Sequence, residues 1–463
     1  MLENIHNYID LVKNFLWAGP LLIILLIVGV HQTLGIKGLQ FRYLLESLEL
    51  TFLNHLNLKH HKKSPTKKLP ANNADVGDVS AFQAMMTALG GAIGTGNIAG
   101  IATAIAVGGF GSLFWMWLVA AFGMATAYAE TVLSVKHRQK NLSGDMSGGP
   151  MYYLRYRLKL PKVATLYAVF VAISAISLGC LVQSHSVVDA VTGYYPVSKI
   201  TVGLILMVLT GLSIIGGVKS IGKVAGVLVP FMAFGYVITG IIILACNYSN
   251  IIPGLILIFK SAFVGQAPIG GFLGSTIWLS MQNGAQYGIF ANEAGLGSLA
   301  IASASAKTNS PVEQGMRSMA GVFIATMIIC TITGLVLVVT QVVGAVDGTG
   351  LIKGSRLVML AFSNVHSKLS VIVIFSLAMF AFTTIVAWAY YGEKSIEYLF
   401  GIKFIIYYRW IFTLFVLVGA LLKLDLVWSI ANLFTALMAF PNLVAISLLR
   451  KEVVTETKLY FNT

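Results

Sequence analysis

Charge is what this chain has least of. Only 10% of its 463 residues are Asp, Glu, Lys or Arg, where a soluble domain carries roughly 25%. Cysteine is scarce as well. Cys180, Cys246 and Cys330 are the only three, all inside or at the end of apolar stretches, so neither a disulfide framework nor a Cys-based metal site is indicated. No HExxH, GxSxG or paired-Asp constellation appears, which argues against an intramembrane enzyme. The start of the chain lacks the marks of a cleavable signal. Glu3 and Asp10 precede the first apolar run, where a signal carries basic residues, and no small-residue cleavage site follows.

What is present is apolar sequence in long blocks. The chain is 57% hydrophobic with a mean hydropathy of +0.83. Its blocks reach the ~20 residues that a helix needs to cross a bilayer. Read between charged breaks, they give eleven spans, at 15–35, 81–106, 112–135, 164–190, 199–216, 222–246, 270–303, 317–345, 370–392, 404–422 and 427–449. The expected architecture is an all-α polytopic membrane protein. The division at 216–222, a short GGVKSIG stretch, is the least marked.

Two of these blocks are interrupted by glycine. The first reads MTALGGAIGTGNIAGIATAIA over 86–106, and the second YGIFANEAGLGSLAIASASA over 287–306. Glycine costs about 1 kcal/mol relative to alanine inside a helix. In lipid, unwound backbone is tolerated only where protein buries it or a wet cavity borders it. Two interrupted spans at corresponding places in two halves point to the binding site of a secondary transporter. The other reading of Gly90, Gly91, Gly94, Gly96 and Gly100 is close helix packing, which predicts an unbroken helix.

Charge placement orients the spans. With the N-terminus outside, 24 of the 31 Lys and Arg residues fall on the inner side, which the positive-inside rule assigns to the cytoplasm, together with the C-terminus. The same asymmetry accounts for the net charge of +14 without nucleic-acid binding, since the charges are spread over many short loops. The first interrupted span then runs inside to outside, and the second, five spans later, runs back. A repeat with an odd number of helices inverts on duplication, so spans two to eleven fit a five-plus-five inverted repeat and the first span stands apart. This divides the chain into 1–80, a peripheral helix and a basic segment, and 81–449, a core with halves 81–246 and 270–449. A tail at 450–463 follows. Residues 42–61 read as a cytoplasmic surface helix, and the KHHKK run at 59–63 as a solvated basic loop rather than a metal site.

At these motifs the chain resembles the alanine or glycine:cation symporter family, also called sodium:alanine symporters. The resemblance rests on MTALGGAIGTGNIAGI (86–101), FWMWLVAAFGMATAYAE (114–130) and GGPMYYL (148–154), followed by KSAFVGQAPIGG (260–271) and NEAGLGSLAIASASAK (292–307). FTTIVAWAYYGEKSIEYLF (382–400) and LDLVWSIANLFTALMAFPN (424–442) complete the series. The resemblance implies a leucine-transporter-like fold and sodium-coupled import of a small neutral amino acid across the cytoplasmic membrane. Serine transport, or coupling to protons, is the alternative reading. A channel would need a continuous polar lining that the sequence does not offer. The chain departs from the family pattern near the second interruption, where Tyr287 and Ala291 stand at positions usually held by Arg and Ser and Gln282–Asn283 replace Arg–Tyr. Those changes bear on substrate range or gating.

The chemistry of such cargo selects candidates. A zwitterion needs its carboxylate met, and free amides at a helix end do this. The GTGN turn offers those of Thr95, Gly96 and Asn97. A sodium ion needs several oxygens. Carbonyls near Gly90 and Ile93 and the hydroxyls of Thr383 and Thr384 supply them, although a Thr pair in a span also bonds its own preceding turn. The resemblance places one sodium between these two helices. It also places Gln183 at the substrate, where residues alone favour interhelical bonding. Trp388, with Phe380 and Phe382 near it, walls a small apolar pocket or simply packs. Intramembrane acids are functional suspects. Glu293 sits in the second interruption. Glu130 and Glu393 lie near cytoplasmic ends, Glu130 suited to gate pairing with Lys136 and Glu393 to snorkelling. His185 and Asp189 lie near an outer end, with His185 read as exposed. No organic cofactor is implied. The topology is tested with a membrane-impermeant thiol reagent added outside. It should label a cysteine placed at Lys353 and spare cysteines at Lys62 and Arg155; labelling at Lys62 in intact cells would overturn the orientation and the inverted repeat with it.

Overall fold

A computed structural model describes residues 2–53, 76–264, 276–347, 350–366, 368–422 and 425–461. The basic run at 59–63 and residues 265–271 of the 260–271 motif lie outside them. Helix dominates because a chain this apolar, if it is to lie in lipid, must pair its backbone groups within each segment. Among the described residues eight helices are long and apolar enough to cross a membrane: His6–Gly35, Gly111–Lys136, Pro161–Thr192, Gly217–Cys246, Pro311–Val339, Leu369–Phe400, Ile402–Leu421 and Leu426–Leu448. The remaining three expected spans correspond to two interrupted segments and to the shorter helix Lys199–Ile214. Gly217, at φ +62, turns the chain between that helix and the next, so the GGVKSIG stretch does divide two helices.

Some segments differ from the sequence expectation. Ile251–Val264 is a helix where none is expected. At 14 residues it is too short to cross a bilayer unaided, and Ala262 packs so closely on Gly111 that a Cβ there would sit 2.6 Å from the Ala262 backbone. The first helical stretch is less peripheral than expected: Trp17 Nε1 donates to Asn432 O at 3.1 Å and its ring lies 5.3 Å from that of Phe290. Of 42–61, residues Leu44–Phe52 form a helix with Ser47, Leu50 and Thr51 buried, and the stretch from 54 on is outside the described residues.

Both glycine runs break their helices. Helix Ala81–Ala92 is followed by a single tight turn at Thr95–Asn97 and then by helix Ala99–Gly108. Helix Ile277–Asn292 ends at Glu293, and a new helix, Ser298–Ser303, begins past Gly297. The strand pair Val79–Ser80, at the start of the first segment, runs parallel to Ala306–Lys307, just past the end of the second. One segment therefore starts at the level where the other finishes, so the two cross the molecule in opposite directions. That is the relation an inverted repeat requires.

The end of the molecule where these strands pair is closed by ionic contacts. Arg138 donates four charge-assisted hydrogen bonds, to the carbonyls of Ala304 at 3.0 Å, Ala306 at 2.7 Å, Val76 at 2.7 Å and Thr308 at 2.8 Å. Asp78 accepts from Met146 N at 2.9 Å. Buried Lys394 pairs with Glu397 at 2.8 Å. Glu393 does not snorkel: it is 5% exposed and takes both Nε and Nη2 of Arg409, at 2.7 and 2.9 Å. A lone carboxylate buried this deeply is too costly, and the Arg409 guanidinium, from the following helix Ile405–Leu421, neutralises it.

The segment 450–463, expected as a tail, contains the helix Arg450–Phe461, fixed by Thr457 to Tyr128 at 2.7 Å and by Glu452. That carboxylate meets Lys136 at 2.9 Å, His137 at 2.8 Å and Arg157 at 2.8 Å. Partial burial pushes the Glu452 carboxyl up, but the hydrogen bonds from Lys136 and Arg157 and the adjacent His137 outweigh it and hold it at about 2. A depressed value means stabilisation that is complete above the ordinary carboxylate range and is lost as pH falls toward 2. Glu452→Gln should therefore speed amide hydrogen exchange in 450–461, consistent with a loss on the order of 1 kcal/mol after solvent screening. It should also remove the acid dependence of that protection; unchanged exchange in the variant would show that the helix is held by its apolar face alone.

Candidate functional site

The two breaks meet at mid-height. Asn97 joins them: its Oδ1 accepts from Gly94 N at 3.0 Å, and its Nδ2 donates to Ala291 O at 3.0 Å and Ala325 O at 3.1 Å. Each of these is a backbone group that a continuous helix would otherwise pair. Ala325 lies in Phe323–Cys330, which is wound as a π-helix, and Gln183 follows a second π-wound stretch, Ser177–Val182. The first of these stretches meets the first break through Asn97 and the second leads into Gln183, which bonds the same break, in keeping with the tendency of π-turns to lie at functional sites.

Beside the breaks lies a cavity of about 690 Å³. The first break contributes Gly94, Thr95 and Gly96 to its wall, the second Phe290 and Glu293, and the long helices Gln183, Thr384 and Trp388. It extends to Lys353 and Arg356 at one end, and its lining includes none of the ionic contacts around Arg138 at the other. The opening is thus one-sided.

Of the turn's amides, Thr95 N donates to Gln183 Oε1 at 3.3 Å and Asn97 N to Gly94 O at 3.2 Å. Gly96 lines the cavity, and no partner for its N–H is found among the described residues. Asn97 is not part of the lining; its side chain is spent on holding the breaks together. Gly94 is at a place that admits no side chain, since a Cβ would sit 2.6 Å from Thr384 Oγ1.

The two threonines separate. Thr384 Oγ1 lies 3.0 Å from Gly90 O and 3.4 Å from both Gly91 O and Ile93 O, and also 3.0 Å from Phe380 O in its own helix. One hydroxyl proton serves only one of these acceptors, so oxygen lone pairs outnumber donors here, as a hard cation requires. Thr383 turns the other way, to Phe380 O at 3.0 Å and toward Met232. Phe380 and Phe382 do not line the cavity either; Phe380 packs on Tyr236.

Glu293 occupies a left-handed conformation at φ +56, which costs a residue with a Cβ about 1–2 kcal/mol. Its carboxylate is held by Trp388 Nε1 at 2.7 Å and Ser298 Oγ at 2.6 Å. Trp388 thus has a polar role besides its face on the cavity. Glu130 does not pair with Lys136, which goes to Glu452 and Glu456. Instead it reaches the second break, accepting from Gly297 N at 3.1 Å and Asn442 Nδ2 at 2.7 Å. Asn442 also donates to Gly295 O at 2.8 Å and accepts from Tyr153, and Tyr167 donates to Leu296 O at 2.8 Å. Asn442 escaped the sequence reading, although an amide inside an apolar span next to Pro441 was a usable signal. His185 is half-buried and faces the cavity, with Asp189 exposed beside it.

A model of the sodium:alanine symporter family matches residues 2–463. The chain is similar to the sodium/alanine symporter AgcS of Methanococcus maripaludis, 42% identical over 98% of this chain and 97% of that protein. It is also similar to the probable sodium/glutamine symporter GlnT of Bacillus subtilis, 33% identical over 99% and 91%. Among solved structures it resembles MhsT in complex with L-phenylalanine, with TM-score 0.56, 14% identity and coverage of 83% of this chain and 99% of that one. A Na+-coupled sialic acid symporter in a substrate-bound outward-open state gives TM-score 0.51, 11% identity and coverage of 98% and 86%. At these identities the structural likeness concerns the fold, which is leucine-transporter-like.

The contact between breaks yields a prediction. A Cβ at Gly96 would lie 3.2 Å from Phe290 O, tight enough for alanine to fit with a small shift and for a branched residue not to. Gly96→Val should abolish transport while the protein still inserts, and Gly96→Ala should be mild. Near-normal uptake by the Val variant would mean that the turn does not carry the cargo.

Proposed function

Because the chain belongs to the sodium:alanine symporter family, we propose that it imports small neutral amino acids, alanine and glycine first, together with Na+ across the cytoplasmic membrane by alternating access. The observation that carries the reading is the oxygen cluster of Thr384 Oγ1 with the Gly90, Gly91 and Ile93 carbonyls, one wall away from the free amide of Gly96. In this assignment the ion sits among those oxygens. The substrate carboxylate is met by Thr95 and Gly96, with Gln183 shared between amide and cargo. Trp388 bounds the side-chain pocket. Thr383 has no ion contact in this scheme, because its hydroxyl faces Met232, and Asn97 acts by bracing.

The same geometry supports alternating access. The cavity opens at Lys353 and Arg356, the side that the charge count puts outside, while Arg138 and its carbonyls close the side it puts in the cytoplasm. This arrangement corresponds to an outward-facing state, with N-terminus out and C-terminus in. The relative named as a glutamine symporter keeps a larger cargo in view, and Tyr287 and Phe290 on the cavity wall are the residues that would set the limit.

The test is radiolabelled alanine uptake into proteoliposomes under an imposed Na+ gradient, repeated with K+ and with a pH gradient. Thr384→Ala should raise the Na+ concentration for half-maximal uptake about tenfold, the effect of ~1.4 kcal/mol. Alanine half-saturation should change little once Na+ is in excess, and Thr384→Ser should be much milder. Parental uptake that ignores Na+ and follows pH would replace sodium by the proton as coupling ion.

A further inference from the structure

Two buried carboxyls border the second break, and their hydrogen bonds are distributed differently. Glu293 receives one donor on each oxygen, Trp388 Nε1 on Oε1 and Ser298 Oγ on Oε2. Glu130 receives two donors on a single oxygen, Gly297 N and Asn442 Nδ2 both on Oε2. Its other oxygen, Oε1, is enclosed in a residue with 0% exposure and has no partner among the described residues.

That asymmetry carries chemical information. A carboxylate spreads its charge over both oxygens, so a buried one needs donors at each. In a carboxylic acid the carbonyl oxygen takes the donors and the hydroxyl oxygen becomes a neutral donor, so leaving it unpartnered costs less than leaving half of an anion's charge unpartnered. Glu293 shows the first pattern and Glu130 the second. The surroundings agree. The titratable groups facing Glu130 are Tyr153, Tyr167, Tyr391 and Glu293, and Tyr153 and Tyr167 give their hydroxyls to Asn442 and Leu296 O. No Lys, Arg or His bonds or ion-pairs with either carboxyl among the described residues. A metal ion is a poor occupant for Oε1. The nearby carbonyls of Gly295 and Leu296 already accept from Asn442 and Tyr167, and one oxygen cannot furnish the shell of a hard cation. A proton needs only one.

We propose that Glu130 is a proton-binding site, with the proton on Oε1, and that the neutral acid is the form that clips the second break in place through Gly297 and Asn442. When the site empties, the O–H bond breaks, the proton passes to water, and the electron pair stays on Oε1 as an unpaired buried charge close to the Glu293 carboxyl. The clip then loosens. Transport thus depends on pH through a residue that touches neither cargo nor sodium. The dependence rests on the symport reading; proton occupancy does not.

Two measurements on the full-length protein in lipid decide the matter. Difference infrared spectra should contain a protonated-carboxyl C=O band that bleaches as pH is raised. The band should vanish in Glu130→Gln and persist in Glu293→Gln. In proteoliposomes with a fixed Na+ gradient, parental alanine uptake should fall at alkaline pH. Glu130→Gln, whose amide reproduces the acid and not the anion, should keep its uptake and lose that alkaline fall. The proposal is overturned if the band survives in Glu130→Gln or is absent from the parent. It is equally overturned if that variant keeps the parental pH profile, or fails to insert or to transport at any pH, since the anion would then be the required form. If the parent moves no alanine under any gradient, the symport reading fails and the infrared band still settles Glu130.

Discussion

Everything in this molecule depends on how two stretches of unpaired backbone survive inside an apolar body. A helix broken in lipid strands N–H and C=O groups that no water can reach, at several kcal/mol each. Two asparagines answer this. Asn97 gives its amide oxygen to one break and its amide nitrogen to the other and to a π-wound neighbour. Asn442 bonds Gly295 O and presents its remaining proton to Glu130. Each replaces part of a missing helical turn, and both are fully buried. The breaks can then stay open where the cavity needs them.

The two breaks are alike in topology and unlike in chemistry. The first, with glycines at 90, 91, 94 and 96, exposes backbone: carbonyls toward Thr384 on one side and an amide toward the cavity on the other. The second is bordered by carboxyls, Glu293 on the cavity and Glu130 behind. The cavity thus has backbone dipoles on one wall and the Glu293 carboxyl on the other. The antiparallel course of the segments sets these walls face to face, and the pairing of Val79–Ser80 with Ala306–Lys307 ties their shared end shut.

Much of this was legible in the sequence for identifiable reasons. Glycine density located both breaks because nothing else explains that cost in an apolar span. Charged punctuation located the long apolar helices. The side chains within a site were harder, since their roles depend on rotation about a helix axis. Thr383 and Thr384 are neighbours, but about 100° of helical turn sends one to the first break and the other to Met232. Asn97 sits in a turn whose other members face the cavity and points away from it. Glu393 looked like a surface acid because its partner Arg409 lies across a helix boundary. The helix Ile251–Val264 escaped because it is too short to register as a span. Arg138 was counted only as one more cytoplasmic charge.

That arginine has a consequence of an evolutionary kind. Its acceptors at Val76, Ala304, Ala306 and Thr308 are all main-chain oxygens, which every amino acid carries. Substitutions at those positions that leave the backbone path alone are invisible to the latch itself and are limited instead by packing, since Ala304 and Ala306 are fully buried. This part of the closure rests on a single side chain. An acid–base pair divides its information between two genetic positions that must change together, whereas here one side of the lock cannot be mutated away.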